Sequence, residues 1–229
     1  MVDVAATVSR SCDPWRAAAR AAASDVGTTG PPLRMPSCRR LVVVVAHPHE
    51  ELCAAGGLMR DLVNRGLPVS VLVVTDTGAE YLGTAYRTLG LTGVRRYRLG
   101  LPGGCVEAAE HDVMAAVSEL VGFADPEGLW CLTPWERDGH PDHDAVGRAA
   151  ATACSAYRLP LLRYPIASAE RLRSSDMTQG QVRHLTLTEP VRRRKHRALI
   201  RLRAQSLTAD AEQVATTEEF LVSCRMARG

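Results

Sequence analysis

Short apolar runs alternate with segments of helical periodicity along most of the chain. Five runs have the length and the β-branched or apolar composition of buried strands, at residues 41–46, 69–76, 94–101, 129–135 and 159–166. Four intervening segments carry apolar positions at helical spacing, at residues 56–66, 85–90, 111–123 and 143–157. This alternation predicts an α/β fold with a Rossmann-like, mostly parallel sheet and helices on both of its faces.

The first 38 residues differ in composition from the rest of the chain. They predict an Ala/Arg helix over residues 13–23, with Pro14 in its first turn, and a linker over residues 28–36. The pattern leaves open whether this segment is disordered or packs on the body as an arm. We therefore expect an N-terminal extension at residues 1–38 and one main domain at residues 39–229.

The overall composition is that of an ordinary globular chain. Of 229 residues, 46% are apolar and 23% are charged, which suffices for one large core, and the net charge is +3. No run approaches the ~18 apolar residues of a membrane helix, and no signal peptide is visible. The seven cysteines are scattered without a C-x-x-C pair, which argues against disulfides and against a cysteine-based zinc site. We expect a cytoplasmic protein with no membrane partner.

A basic run, RRRKHR, occupies residues 192–197. Because only 4% of the residues are aromatic, the chain offers few platforms for stacking bases. A solvated helix face is therefore favoured, with contact to a phosphate-bearing substrate as the second interpretation. We expect a small-molecule substrate and no nucleic-acid partner, and the sequence leaves homo-oligomerisation open.

Polar residues cluster where the predicted strands end. AHPHEE follows the first strand, TDTGAE the second, LPGG the third and PWERDGHPDH the fourth. Ligands bind at the carboxyl ends of the strands in open α/β sheets. These four loops are therefore predicted to share one rim.

Two of the loops carry four of the seven histidines of the chain. His47 and His49 follow the first strand, and His140 and His143 follow the fourth, each pair beside carboxylates. A lone histidine at a strand end more often caps a helix or satisfies a backbone group. Two such clusters at one rim instead favour a catalytic metal, since zinc takes three nitrogen or oxygen ligands and keeps one position open. We expect Zn²⁺, or another divalent metal, which would polarise a carbonyl group under attack.

The same stretches resemble the PIG-L/LmbE-like de-N-acetylases, zinc-dependent hydrolases that remove acyl groups from N-acetylated amino sugars. AHPHEE resembles the family's A-H-P-D-D-E, LGLPGG resembles its L-G-L-P-D-G, and DGHPDH is essentially intact. The likeness extends from about Leu41 to about Gln205. It implies the LmbE-like fold and a metal-dependent amide hydrolase, in first place an N-deacetylase acting on an amino sugar or a glycosylated natural product.

The resemblance also implies roles for individual residues. His47, Glu50 and His143 correspond to the metal ligands, and Glu50 stands in place of the family's aspartate. His140 corresponds to the residue that stabilises the oxyanion, and Asp142 is expected to orient it. Candidate substrate contacts from the same rim are Asp76, Glu80, Gly103, Arg137, Asp138 and Tyr164.

The chain departs from the family at the position of the general base, where His49 replaces an aspartate. Three interpretations stay open: His49 acts as the base, it binds the metal or supports altered chemistry, or the site is compromised. Gly103 likewise replaces an aspartate that contacts sugar hydroxyls, and the segment between Asp76 and Leu89 is short. The alternatives to a deacetylase are an enzyme of altered metal-dependent chemistry and a non-catalytic binding or partner protein that keeps the fold.

Overall fold

A seven-stranded sheet runs through the part of the chain that the computed structural model describes, residues 31–76, 82–122, 126–166, 182–206 and 217–222. The strands are β1 (Arg40–Val45), β2 (Val69–Thr75), β3 (Arg95–Leu101), β4 (Leu129–Pro134), β5 (Leu161–Tyr164), β6 (Val182–Thr186) and β7 (Thr217–Val222). Their order in the sheet is β3-β2-β1-β4-β5-β7-β6. The first five strands of this order pair in parallel, whereas β7 pairs antiparallel with β5 and with β6. The predicted mostly parallel sheet is confirmed.

Helices cover both faces of the sheet, as the sequence predicts. They are α1 (Glu50–Asn64), α2 (Leu82–Leu89), α3 (Glu110–Gly122), α4 (Pro141–Ala156) and α5 (Glu189–Ser206), with a short 3₁₀ helix at Val106–Ala109. Val43 and Val45 of β1 belong to the core beneath α1, α2 and α5, whereas Val42 and Val44 belong to the core beneath α3 and α4. Within the described residues, none of the helices combines the length and the apolar character needed to cross a bilayer.

The neighbouring strands β1 and β4 define the place of the site. The chain leaves β1 into α1 on one face of the sheet, and it leaves β4 into α4 on the other face. A crevice opens between such diverging connections at the carboxyl ends of the two strands, and open α/β sheets bind their ligands there. Both histidine clusters follow these two strands.

The segment before β1 packs along β6. Pro32 forms a parallel bridge with His184, and the N–H of Leu33 donates to the carbonyl of His184 at 2.8 Å. Met35 and Cys38 are buried. The described part of the expected linker therefore contacts the body of the protein, whereas the helix expected over residues 13–23 lies outside the described residues.

Candidate metal centre

Three imidazoles meet at the carboxyl ends of β1 and β4. His47 follows β1, His140 is the N-cap of α4, and His143 lies in the first turn of α4. Each of the three offers a ring nitrogen within 4.8 Å of the other two. The ring centroids of His140 and His143 are 4.5 Å apart, and that of His47 lies 5.3 and 5.6 Å from them. The fold thus brings the two sequence clusters together.

The hydrogen bonds of His47 determine which of its nitrogens faces the cluster. Thr75 donates its single hydroxyl hydrogen to the carbonyl of Ala46 at 2.8 Å. The hydroxyl is therefore the acceptor in its 2.9 Å contact with Nδ1 of His47, and Nδ1 carries the ring proton. The lone pair of His47 lies on Nε2, where it is available to a metal ion.

His143 lies between two buried carboxylates. Its Nδ1 donates to Oδ2 of Asp138 at 2.5 Å, and its Nε2 lies 2.8 Å from Oε1 of Glu50. Oδ1 of Asp138 accepts the N–H of Ile166 at 2.9 Å, so a backbone hydrogen bond fixes the carboxylate that orients the His143 ring. Burial lowers the pKa of His143, but the carboxylates of Glu50 and Asp138 outweigh burial and raise the pKa to about 10. The pair of buried carboxylates therefore requires positive charge at Nε2, and a divalent cation there would satisfy both of them.

Glu50 is the oxygen ligand that this arrangement offers. Burial would raise the pKa of the Glu50 carboxyl, but His143 and His47 lower it overall, so the group is ionised. Oε2 accepts the N–H of Ala46 at 3.1 Å, which leaves Oε1 directed at His143. Glutamate at this position therefore still presents an oxygen to the cluster, although the side chain is one methylene longer than the family's aspartate.

His140 holds the opposite tautomer. Its Nδ1 accepts the backbone N–H of Asp142 at 3.2 Å, so the proton of the neutral ring lies on Nε2. Burial, together with His143 and His47, lowers the pKa of His140, so the ring is neutral at pH 7. Such a ring donates one N–H and has no second lone pair for a metal. Of the three clustered histidines, His47 and His143 suit a metal together with Glu50, and His140 suits a developing oxyanion.

Asp142 contacts its surroundings differently from the expectation. Its backbone N–H, and not its carboxylate, makes the contact with His140. The carboxylate accepts the N–H groups of Gly104 and Val106 at 2.7 and 3.3 Å, and Oδ2 lies 3.4 Å from Nε2 of His47. Asp142 therefore ties the loop after β3 to the metal-facing side of His47.

His49 lies at the start of α1 in a left-handed conformation, with φ of 80°. A non-glycine residue in this region costs on the order of 1–3 kcal/mol. Burial lowers the pKa of His49 to about 4, against the opposing effect of Glu50, so its ring is neutral at pH 7. Among the described residues, the group with ligand atoms within 4.8 Å of one another comprises His47, His140 and His143 and includes neither His49 nor Glu50. Glu50 reaches this group through its Oε1, which lies 2.8 Å from Nε2 of His143.

Two of the expected substrate contacts are buried and support the structure instead. Asp138 is 1% exposed and holds His143, and Tyr164 is fully buried with its hydroxyl donating to the carbonyl of Val44 at 3.1 Å. Neither side chain can reach a substrate, so these two assignments are corrected.

The remaining expected contacts lie at the rim or beyond the described residues. Asp76 is exposed and pairs with Arg98, and Gly103 and Arg137 are exposed on the loops after β3 and β4. Glu80 lies outside the described residues.

Two further groups support the site without a clear signal in the sequence. Thr75 ends β2 as part of a buried run, yet its hydroxyl sets the tautomer of His47. Glu51 is fully buried beside Glu50, and its Oε1 accepts the hydroxyl of Tyr86 in α2 at 2.7 Å. Burial raises the pKa of Glu51 to about 7, although the bond from Tyr86 lowers it. In the sequence, an acidic residue such as Glu51 in the first turn of a helix is expected to face solvent. The structure shows instead that α2 packs over it and buries it.

Both histidine clusters lie within a match to a known family. The PIG-L family, described as GlcNAc-PI de-N-acetylase, matches residues 42–154. Residues 42–154 of this chain therefore belong to the PIG-L family. A curated relative, a probable N-acetyl-alpha-D-glucosaminyl L-malate deacetylase 2 of Bacillus cereus, is 27% identical over 149 residues. That match spans 56% of this chain and 66% of the relative's length.

Solved structures of similar fold support the architecture of this PIG-L protein. The A40926 pseudoaglycone deacetylase has a TM-score of 0.57 at 14% identity, covering 80% of this chain and 96% of its own. The zinc-inhibited form of teicoplanin deacetylase has a TM-score of 0.56 at 13% identity, covering 80% and 97%. The 4-carboxy-2-hydroxymuconate hydratase from Pseudomonas putida KT2440 has a TM-score of 0.54 at 12% identity, covering 81% and 96%. At these identities the likeness concerns the fold.

Proposed function

We propose that this protein is a zinc-dependent amide hydrolase that removes an acetyl group from an N-acetylated amino sugar or glycosylated natural product. The proposal rests on one observation, namely that the clustered histidines present different groups to the space between them. His47 directs the lone pair of Nε2 inward, and Nε2 of His143 faces Oε1 of Glu50 at 2.8 Å, where a metal ion would replace the proton between them, whereas His140 directs an N–H inward. Two nitrogens and one oxygen form a donor set typical of catalytic zinc.

The names of similar proteins support the same chemistry. The Bacillus cereus relative is named as a deacetylase of N-acetyl-alpha-D-glucosaminyl L-malate, and two neighbours in fold are named as deacetylases of A40926 pseudoaglycone and of teicoplanin. The scattered cysteines support a cytoplasmic location, and the proposed substrate is a small molecule.

His47, Glu50 and His143 would hold the metal, which when bound supplies Lewis acidity toward an amide carbonyl and toward a water molecule. His140 donates its Nε2–H to the carbonyl oxygen as negative charge develops there, and the hydrogen bond from Asp142 keeps the ring in that orientation. His49 occupies the position from which the family's aspartate accepts the proton of the attacking water. With a pKa of about 4 it is free to accept a proton at pH 7, although as a weak base. The carboxylate of Asp142 is the other basic group beside the cluster.

A second candidate is a hydration or elimination reaction on the same scaffold. The observation that favours it is the change of base, because a neutral imidazole replaces a carboxylate at the position that activates water. A neighbour in fold is named as a hydratase. Release of acetate from N-acetylated amino sugars separates the two candidates, since a hydratase releases none.

Metal content and two alanine variants test the proposal. Purified protein is expected to contain about one zinc per chain by elemental analysis, because the site offers the three ligands of one catalytic ion. His143→Ala should lose the metal, since it removes a ligand and leaves two buried carboxylates unbalanced. His140→Ala should keep the metal and lose turnover. A wild-type protein that neither contains zinc nor binds added Zn²⁺ would leave the non-catalytic alternative in place.

A further inference from the structure

The helix that carries Glu50 is interrupted. α1 consists of two helical segments joined at Ala55, whose φ of −136° and ψ of 15° are not helical. The first segment is little more than a single turn between His49 and this bend. At the start of the second segment, the N–H groups of Gly57 and Leu58 donate to the carboxylate of Glu218 at 2.6 and 2.8 Å. A carboxylate from β7 thus caps a helix start in the middle of α1.

Glu218 is held in place by a buried partner. It is 3% exposed, and its Oε1 accepts from Nζ of Lys195 in α5 at 2.5 Å. Lys195 is the single lysine among 28 basic residues, the others being arginine. An ammonium group is more compact than a guanidinium, so lysine fits where a cation must enter a closed space. The carboxylate is therefore satisfied by one cation and two helix N–H groups.

Glycine at position 57 permits this approach. A Cβ there would lie 2.2 Å from Cδ2 of Leu187 and 2.9 Å from Oε1 of Glu218. Gly57, unfavourable inside a helix, thus leaves room for the carboxylate at the bend, whereas a Cβ at Gly56 would lie 2.9 Å from Cδ2 of Leu89.

The bend determines the direction of the turn that carries the metal ligand. One end of that turn is fixed by β1, which is buried in the centre of the sheet, and the other end is fixed by Glu218. We propose that Glu218 is a positioning residue, which sets the bend in α1 and thereby directs Glu50 toward His143. This inference rests on the proposed metal site.

Zinc affinity of a neutral double variant tests the inference. Glu218→Gln combined with Lys195→Met removes the carboxylate without leaving an unpaired buried ammonium, so the protein is expected to fold. A single amide oxygen cannot cap the bend as the carboxylate does. We expect the zinc Kd, measured by competition with a chromophoric chelator, to weaken about 10-fold, the lower end of the range for groups that orient metal ligands.

A matched control separates positioning from general loss of packing. Phe220→Leu alters a fully buried side chain two positions further along β7 and should leave the zinc Kd unchanged. A double variant that binds zinc as tightly as the wild type overturns the inference, as does an equal loss of affinity in Phe220→Leu.

Hydrogen exchange in metal-free protein gives a readout that does not depend on the proposed function. The N–H groups of Leu52 and Cys53 bond to the carbonyl of His49 at 3.0 and 3.2 Å, within the positioned turn. Their exchange should be faster in the double variant than in the wild type or in Phe220→Leu. Unchanged exchange overturns the inference. Failure of the wild type to bind zinc counts against the proposed function alone. Hydrogen exchange of Leu52 and Cys53 then remains the test of the positioning role of Glu218.

Discussion

His49 departs from the family's motif at the position of the general base. A neutral imidazole with a lowered pKa stands where the family has a carboxylate, on a backbone with φ of 80°. Histidine, asparagine and aspartate are the non-glycine residues enriched in the left-handed region. The backbone at position 49 therefore accepts either the histidine of this chain or the family's aspartate.

Substitution of His49 distinguishes its roles. If the imidazole accepts the proton of water, His49→Ala should lower the deacetylation rate by about 10²- to 10⁴-fold while zinc content stays full. His49→Asp should retain zinc and retain or raise the rate, because it restores a carboxylate on a backbone that suits it. If His49 is instead a ligand, the alanine variant loses zinc. The measurements are zinc content and acetate release for the three proteins.

The exposed His111 provides the control for this series, since its side chain is 84% exposed at the start of α3. His111→Ala should change neither zinc content nor rate. A His49→Ala protein with full zinc and an undiminished rate would exclude both roles for His49, and proton transfer would then fall to another group such as Asp142.

At the scale of elements, α1 depends on a glycine that helix propensity disfavours. Alanine is the better helix former by about 1 kcal/mol, yet Gly57→Ala should lower the free energy of unfolding by about 1–3 kcal/mol, because the added Cβ overlaps Leu187. Gly83→Ala in α2 is the matched control. Its Cβ would meet only the flexible side chain of Arg87, with Nη1 at 3.7 Å, and should stabilise by up to about 1 kcal/mol. Urea denaturation measures both, and equal effects would contradict the close approach at the bend.

The elements also show how far the sequence predicts this structure. Strands such as β1 are predictable because they are buried on both faces, so an unbroken apolar run marks them. β6 and β7 are not predicted, since the exposed and half-buried positions of VRHLT give no such run. The start of α1 at Glu50 is missed because two acidic residues there read as a loop, although both are buried.

The proposed ligands of the candidate site follow from the sequence more readily than its supporting residues do. His47, Glu50 and His143 lie in motifs at the ends of neighbouring strands, and the resemblance to the family assigns them as ligands. The supporting role of Asp138 does not, because a carboxylate beside a histidine reads equally as a substrate contact until its burial is known. The role of Thr75 is not predictable either, because a threonine at the end of a buried strand gives no sign that its hydroxyl contacts His47.

At the scale of the whole molecule, the proposed metal ligands lie just after the central strands β1 and β4, and the loop after the outer strand β3 forms part of the rim. β3 is an edge strand with exposed arginines, and Asp76 at the end of β2 is engaged by Arg98 of that strand. Gly103, on the loop after β3, has no side chain to offer where the family has an aspartate. At this part of the rim, Gly103 thus offers no charged contact and the carboxylate of Asp76 is paired with Arg98.

We therefore predict that free N-acetylglucosamine is a poor substrate compared with larger conjugates of N-acetylglucosamine, because Gly103 on the loop after β3 offers no carboxylate to the hydroxyls of a simple hexose. Gly103→Asp should raise kcat/KM for N-acetylglucosamine about 10-fold or more, the effect of one charge-assisted hydrogen bond. Gly103 is not among the residues with positive φ, unlike its neighbour Gly104, so the backbone accepts a side chain. Gly93→Asp is the control, since Gly93 precedes β3 at the opposite end of the strand and has open space around it. Acetate release from the hexose and from a conjugate, measured side by side, gives the comparison. A wild-type protein that prefers the free sugar, with no gain in Gly103→Asp, would show that the loop after β3 does not determine substrate choice.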